Sequence, residues 1–147
     1  MERAITISRE FGSGGRELGV KLAESLGIPF YDKELISMAA EESDMSEDAF
    51  LHYDENMPFI KDPLDRHFYS PFSSIYQVPM SDQIFLAQSR VIRKLADQGP
   101  CVIVGRCADM VLENSVNLFI YARMKDRIRR MNSLETGIDP VKMESRI

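Results

Sequence analysis

The chain has 147 residues, 44% of them hydrophobic and 28% charged, which fits one ordinary globular core and excludes collagen-like, coiled-coil and wholly disordered chains. Lys plus Arg is 18 against 23 for Asp plus Glu; the net charge of −5 argues against a nucleic-acid polymer as partner but allows a small anion held by a few arginines. No apolar run approaches a bilayer's thickness, so no membrane is expected, and two cysteines, Cys101 and Cys107, at a spacing that suits neither zinc nor a disulfide framework, point to a reduced, cytoplasmic protein.

Four short runs favour strands: Ala4–Ile7, Ile28–Tyr31, Cys101–Val104 and Val116–Tyr121. None alternates cleanly, the pattern of buried parallel strands covered on both faces. The first helix is expected from Gly15 to Leu26, with Leu18, Leu22 and Leu26 as its apolar stripe and Gly27 and Pro29 as its stop. A second follows Asp32 as N-cap, with Leu35, Ile36, Ala39 and Ala40 on one face. A third starts near Ser81, carries Ile84, Phe85, Val91, Ile92, Leu95 and Ala96, and ends at Gly99-Pro100. A fourth follows Asp126 and ends at Gly137, and Asp139-Pro140 opens a fifth.

Strand and helix alternate, which predicts a single α/β domain of three layers around a parallel sheet. The fifth helix has barely begun at Ile147, so the fold is expected to be incomplete at its C-terminus. Residues 44–80 hold four of the seven prolines and no sustained period, and read as an irregular insert. Charge is uneven: residues 41–65 are strongly acidic, whereas residues 123–147 are arginine-rich.

In such folds ligands sit at the carboxyl ends of the strands. The first strand leads into Gly12-Ser13-Gly14-Gly15-Arg16-Glu17, a glycine-rich loop that opens a helix. Glycines let successive N–H groups curl around one anion, and the helix start adds partial positive charge, so the loop reads as a phosphate cradle. The plain alternative is a tight turn that binds nothing. A dinucleotide fingerprint is a second alternative: Asp32 lies where a ribose-binding acid would, but Glu17 replaces its last glycine. A nucleoside-triphosphate loop, G-x-x-x-x-G-K-[ST], suits the loop's length better, although Gly15 stands where its Lys belongs. Arg16 is then the candidate replacement charge. Glu17 is a candidate magnesium ligand, or simply an acid placed by the helix dipole.

The segments Ala4–Gly19, Pro29–Ile36 and Gly99–Asp109 resemble the cytidylate kinase-like family, a divergent branch of the P-loop nucleoside monophosphate kinases. The resemblance implies a core with a lid, ATP as co-substrate, Mg2+, and transfer of the γ-phosphoryl to CMP, dCMP or a similar monophosphate. It assigns Gly12, Ser13, Gly14, Gly15 and Arg16 to the donor phosphates, with Glu17 the adjoining candidate for the cofactor's metal. It assigns Asp32, Arg93, Gly105 and Arg106 to the acceptor, with Asp109 nearby. It makes residues 123–147 the start of the lid, with Arg127 and Arg130 beside Arg16 as the groups that neutralise the transferring phosphoryl. The acids that flank the family's Gly-Arg pair fall on Val104 and Cys107. With these and the Lys absent, a nucleotide-binding module without catalysis stays open, and so does assembly into a homo-oligomer.

Overall fold

The computed structural model describes residues 3–43 and 80–134, with positions 46 and 48 between them. Expectations for the rest of 44–80, for the helix end at Gly137 and for the fifth helix lie outside the described residues. The order is β1 (Ala4–Arg9), α1 (Gly15–Leu26), β2 (Phe30–Tyr31), α2 (Glu34–Ser43), α3 (Met80–Gln98), β3 (Val102–Val104), α4 (Ala108–Val111), β4 (Ser115–Ile120) and α5 (Met124–Leu134). The chain divides into two compact units, one of residues 1–32 with 92–147 and one of residues 33–91.

The first unit holds a four-stranded parallel sheet in the order β2-β3-β1-β4. Ile5 pairs with Val102 on one side of β1 and with Val116 on the other, so β1 is internal and all four strands end on one edge. Ile5, Ile7, Ala23, Val102 and Val104 form the buried cluster, with Leu22, Ile28, Phe30, Leu118 and Ile120 packed against it. The expectation of strands covered on both faces holds for β1 and β3. Strand β4 borders the sheet among the described residues; Val116 and Phe119 are exposed there, because an edge strand has one neighbour instead of two.

Helix α1 has the predicted ends, but of its predicted apolar stripe only Leu22 packs against the core cluster. Its buried residues are Gly15, Gly19 and Ala23, while Leu18 and Leu26 are largely exposed. Close approach to the sheet explains the difference: a Cβ on Gly19 would stand 2.9 Å from the Phe30 ring and 3.0 Å from Val104 Cγ2. At Gly19 nothing larger fits. Helix α4 is a single turn that the sequence pattern does not announce.

In the second unit, Leu35, Ile36, Ala39 and Ala40 of α2 are buried as predicted, as are Ile84 and Val91 of α3; Ala87 is buried as well. Phe85, expected on the apolar stripe, is exposed.

Candidate functional site

The site is built where β1 runs out. The Glu10 N–H donates to the Ile120 carbonyl at 3.0 Å, the last tie to β4. The Ser13 N–H then donates back to the Glu10 carbonyl at 3.1 Å, closing a tight turn. Gly14 follows with φ 88°, a left-handed conformation that glycine adopts without strain, and acts as N-cap of α1. Its carbonyl accepts the first helical bond, from Leu18 at 3.0 Å.

The amides of Gly14, Gly15, Arg16 and Glu17 precede that bond and have no intrahelical acceptor. Among the described residues none of the four has another partner. Ser13 Oγ is buried in the same loop without a partner. Four donors, an unsatisfied hydroxyl and the positive end of α1 therefore share one short segment, which suits an anion better than a plain turn.

Arginines surround the loop. Arg127, buried on α5, donates from Nε to the Phe11 carbonyl at 2.7 Å and sets Nη1 3.4 Å from Glu10 Oε2. Sequence reading expects Arg127 at the transferring phosphoryl; the geometry gives it the role of a strut that holds the start of the loop. Arg130, one turn further on α5, pairs with Glu17, and its guanidinium lies 2.8 Å from where a Gly14 Cβ would be. Expected Arg130 and the expected donor loop are thus brought together.

Arg16, the candidate stand-in for the missing Lys, turns to Asp32: Nε donates to Oδ2 at 2.8 Å while the guanidinium lies over the Phe30 ring, 5.8 Å from its centroid. Asp32 is buried and accepts this bond from Arg16; α2 begins two residues later. Arg9, which sequence reading does not single out, approaches the same carboxylate at 4.0 Å.

Beyond β3 the Gly105 N–H donates to the Ile7 carbonyl at 2.9 Å, placing the turn against β1. Arg106 and Cys107 have φ of 59° and 53°, left-handed values unusual for side-chain-bearing residues. Such conformations cost about 1 kcal/mol or more each and recur at functional sites. Cys107, expected as a small buried hydrophobe, is exposed, because it is the N-cap of α4 at the sheet's edge. Asp109 lies in the first turn of α4 with no ion pair among the described residues.

Arg93 is not brought to the loop. With Arg3, Ala4, Asp97, Glu113 and Asn114 it lines a groove of about 500 Å3 at the amino-terminal ends of β1 and β4, the opposite edge of the sheet. The spacing of Arg93 on its helix gave no warning of this, because the register of α3 against the sheet is a tertiary feature.

Among the described residues, two ionisable groups are displaced from their ordinary ranges. The Arg123 hydrogen bond, at 2.9 Å, holds the Asp126 carboxyl down, aided by the charges of Arg129 and Lys125. Burial pushes the Cys101 thiol up.

The loop's free amides and the Ser13 hydroxyl fit nucleotide phosphates. Magnesium in such sites takes one or two carboxylates and completes its shell with phosphates and water, so Glu17 beside the loop fits it, provided the carboxylate leaves Arg130. Among the described residues no group of three or more His, Cys, Asp or Glu forms a metal cage. None of the described helices is long and apolar enough to cross a membrane.

The sequence profile of the cytidylate kinase-like family matches residues 4–147. A comparison with curated protein sequences finds no match. Among solved structures, an uncharacterised protein from Eubacterium ventriosum is similar at 28% identity and a TM-score of 0.65, over 99% of this chain and 68% of that one. A gluconokinase from Sinorhizobium meliloti shares the fold at 13% identity and a TM-score of 0.57, over 99% of this chain and 72% of that one. A shikimate kinase from Bacteroides thetaiotaomicron does so at 14% and 0.55, over 99% and 74%.

Proposed function

The chain belongs to the cytidylate kinase-like family, and from that premise we propose that it is a phosphotransferase moving the γ-phosphoryl of ATP to CMP, dCMP or a similar monophosphate. The observation that carries this reading is the loop between β1 and α1, where four unbonded amides and a buried hydroxyl share the positive end of a helix. Phosphoryl transfer asks the protein for positioning and positive charge more than for covalent chemistry.

The residues divide that work. Gly14, Gly15, Arg16 and Glu17 offer main-chain N–H groups to the donor phosphates. Arg127 holds the Phe11 carbonyl and so fixes the curl of the loop. Arg130 lies over Gly14, placed to meet charge on the transferred group. Arg16 and Asp32, with Gly105 and Arg106, occupy the carboxyl ends of β2 and β3, where an acceptor would lie. Glu17 would hold Mg2+, which when bound offsets the negative charge of the phosphates. A reducing compartment, the cytoplasm, suits the exposed Cys107 thiol.

The test is a coupled ADP-release assay with CMP, dCMP and the other nucleoside monophosphates. Turnover highest with CMP or dCMP supports the reading. A second reading, nucleotide binding without transfer, is favoured by Gly15 in place of Lys and by Glu17 already paired with Arg130. It predicts calorimetric uptake of Mg·ATP with no ADP released for any acceptor.

A further inference from the structure

The geometry points to Arg9 as the cation of the phosphate site, in exchange for the lysine that Gly15 replaces. This inference rests on the phosphotransferase reading and names the residue that makes it workable. In the pattern G-x-x-x-x-G-K, a glycine stands six positions before the lysine. Laid on this chain with Gly14 as the second glycine, the pattern puts its lysine at Gly15 and its first glycine at Arg9. The small residue and the cation have changed places.

The exchange has a steric reason. A Cβ on Gly15 would stand 2.6 Å from Arg9 Cβ, closer than two such atoms approach, and 3.2 Å from its Cγ. A side chain at 15 and a side chain at 9 therefore compete for one space. The rest of Arg9 passes over a second glycine: a Cβ on Gly105 would lie 2.7 Å from Arg9 Nη1. Two glycines, one from the loop and one from the turn after β3, thus form a slot for this arginine. The slot ends at Asp32, 4.0 Å from Arg9 Nη2.

Charge agrees with the steric argument. Arg16 already holds Asp32 with a hydrogen bond, whereas Arg9 only approaches it. Two guanidinium groups facing one carboxylate leave a net positive charge beside the loop. The Arg9 side chain is also about one-third exposed, at 35%, whereas that of Asp32 is 6% exposed, so a ligand can reach the cation. Arg9 comes directly from β1, so its backbone is fixed by the sheet.

The test is isothermal titration of Mg·ATP into the wild-type chain and into Arg9→Gln, Arg9→Lys, Gly15→Lys and the exchange variant Arg9→Gly/Gly15→Lys, with thermal unfolding of each. Loss of a charge-assisted contact weakens binding by about ten- to a hundredfold, the expected effect of Arg9→Gln. Arg9→Lys keeps the charge and is expected to retain most of the affinity. Gly15→Lys alone is expected to bind poorly because its side chain meets the Arg9 stem. The exchange variant restores binding to within about threefold of wild type, the mark of two positions that share one role. If Arg9→Gln melts earlier yet binds Mg·ATP as tightly as wild type, Arg9 is only a strut for Asp32 and the inference fails. A folded exchange variant that binds no better than Arg9→Gln also overturns it. If the wild-type chain takes up no Mg·ATP, the phosphotransferase reading itself falls, a result distinct from loss in Arg9→Gln alone.

Discussion

The Nε–H of Arg127 donates to the carbonyl of Phe11 at 2.7 Å, so the buried guanidinium of α5 fixes a peptide of the glycine loop 116 residues earlier in the chain. Its Nη1 faces Glu10, whose carboxylate also accepts from the Ala122 N–H at 3.3 Å. Arg127→Met keeps much of the stem and removes the donors. It is expected to destabilise the protein by about 1–3 kcal/mol, the range for a hydrogen bond to a charged group together with an acceptor left unmet. Urea unfolding monitored by circular dichroism checks this; a change below about 0.5 kcal/mol would place the contact among ordinary surface pairs.

Much of this framework was legible in the sequence. Gly27 and the leucine spacing fixed both ends of α1, and the glycine loop fell between β1 and α1 as expected. The inner face of α1 was legible only in part: Leu22 packs against the core cluster, but Leu18 and Leu26 are exposed, and at Gly19 the sheet comes too close for any side chain. The arginines divide in the same way. Arg16 and Arg106 follow glycines at the ends of β1 and β3, where local pattern finds them, whereas Arg130, on α5, is found only through the family resemblance. The placement of Arg93 at the far edge of the sheet, and of Arg9 between two glycines, depends on how elements distant in sequence pack.

Two glycines with similar backbones separate a structural cost from a ligand cost. Gly14 has φ 88° and Gly27 has φ 65°, so an alanine at either pays about 1–2 kcal/mol for the left-handed conformation. At Gly27 nothing lies within 4 Å of the new methyl, whereas at Gly14 it meets the Arg130 guanidinium at 2.8 Å. Both variants are expected to melt earlier, but only Gly14→Ala is expected to lose Mg·ATP affinity. Equal affinity in the two, measured calorimetrically, would separate Gly14 from the phosphate site.

The two thiols should report their surroundings directly. Cys107 is exposed, whereas Cys101 is buried and its thiol is pushed above the ordinary range by loss of solvent. A disulfide reagent at neutral pH is expected to label Cys107 within minutes and Cys101 only as the chain unfolds. The raised value in the folded state means that the buried, neutral thiol favours folding below the ordinary thiol value and loses that advantage as pH climbs from there through the raised value. Mass spectrometry of the labelled peptides, with and without urea, reads both sites; prompt labelling of Cys101 in the native chain would contradict its burial.

Asp126 sits in the first turn of α5 between Arg123 and Arg129. Its carboxyl is held below the ordinary range by the Arg123 hydrogen bond and the neighbouring cations. A value lower in the folded chain than in the unfolded one gives stability that is present above the ordinary carboxyl range and is lost as pH falls through the lowered value. Asp126→Asn is therefore expected to be less stable than wild type at neutral pH, with the gap closing in strong acid. Urea midpoints measured across that pH series check it; a gap that stays constant would assign the effect to hydrogen bonding by either side chain and not to charge.

Arg130 and Glu17 form an ion pair at the mouth of the loop, with side chains 36% and 51% exposed. Water screens a pair this open, so its loss is expected to change stability by only about 0–1 kcal/mol. Its effect on ligand binding should be larger, because both groups have competing work: Glu17 toward Mg2+, Arg130 toward phosphate. Glu17→Gln frees Arg130 and removes the carboxylate. It is expected to leave folding nearly unchanged, to bind metal-free ATP somewhat more tightly, and to gain little from added Mg2+. Arg130→Gln is expected to do the reverse, weakening metal-free ATP by about tenfold while keeping the response to Mg2+. Titrations with and without Mg2+ on both variants separate the roles. If Glu17→Gln responds to Mg2+ as wild type does, Glu17 serves the helix dipole and the partner arginine, and the metal takes its protein ligand elsewhere.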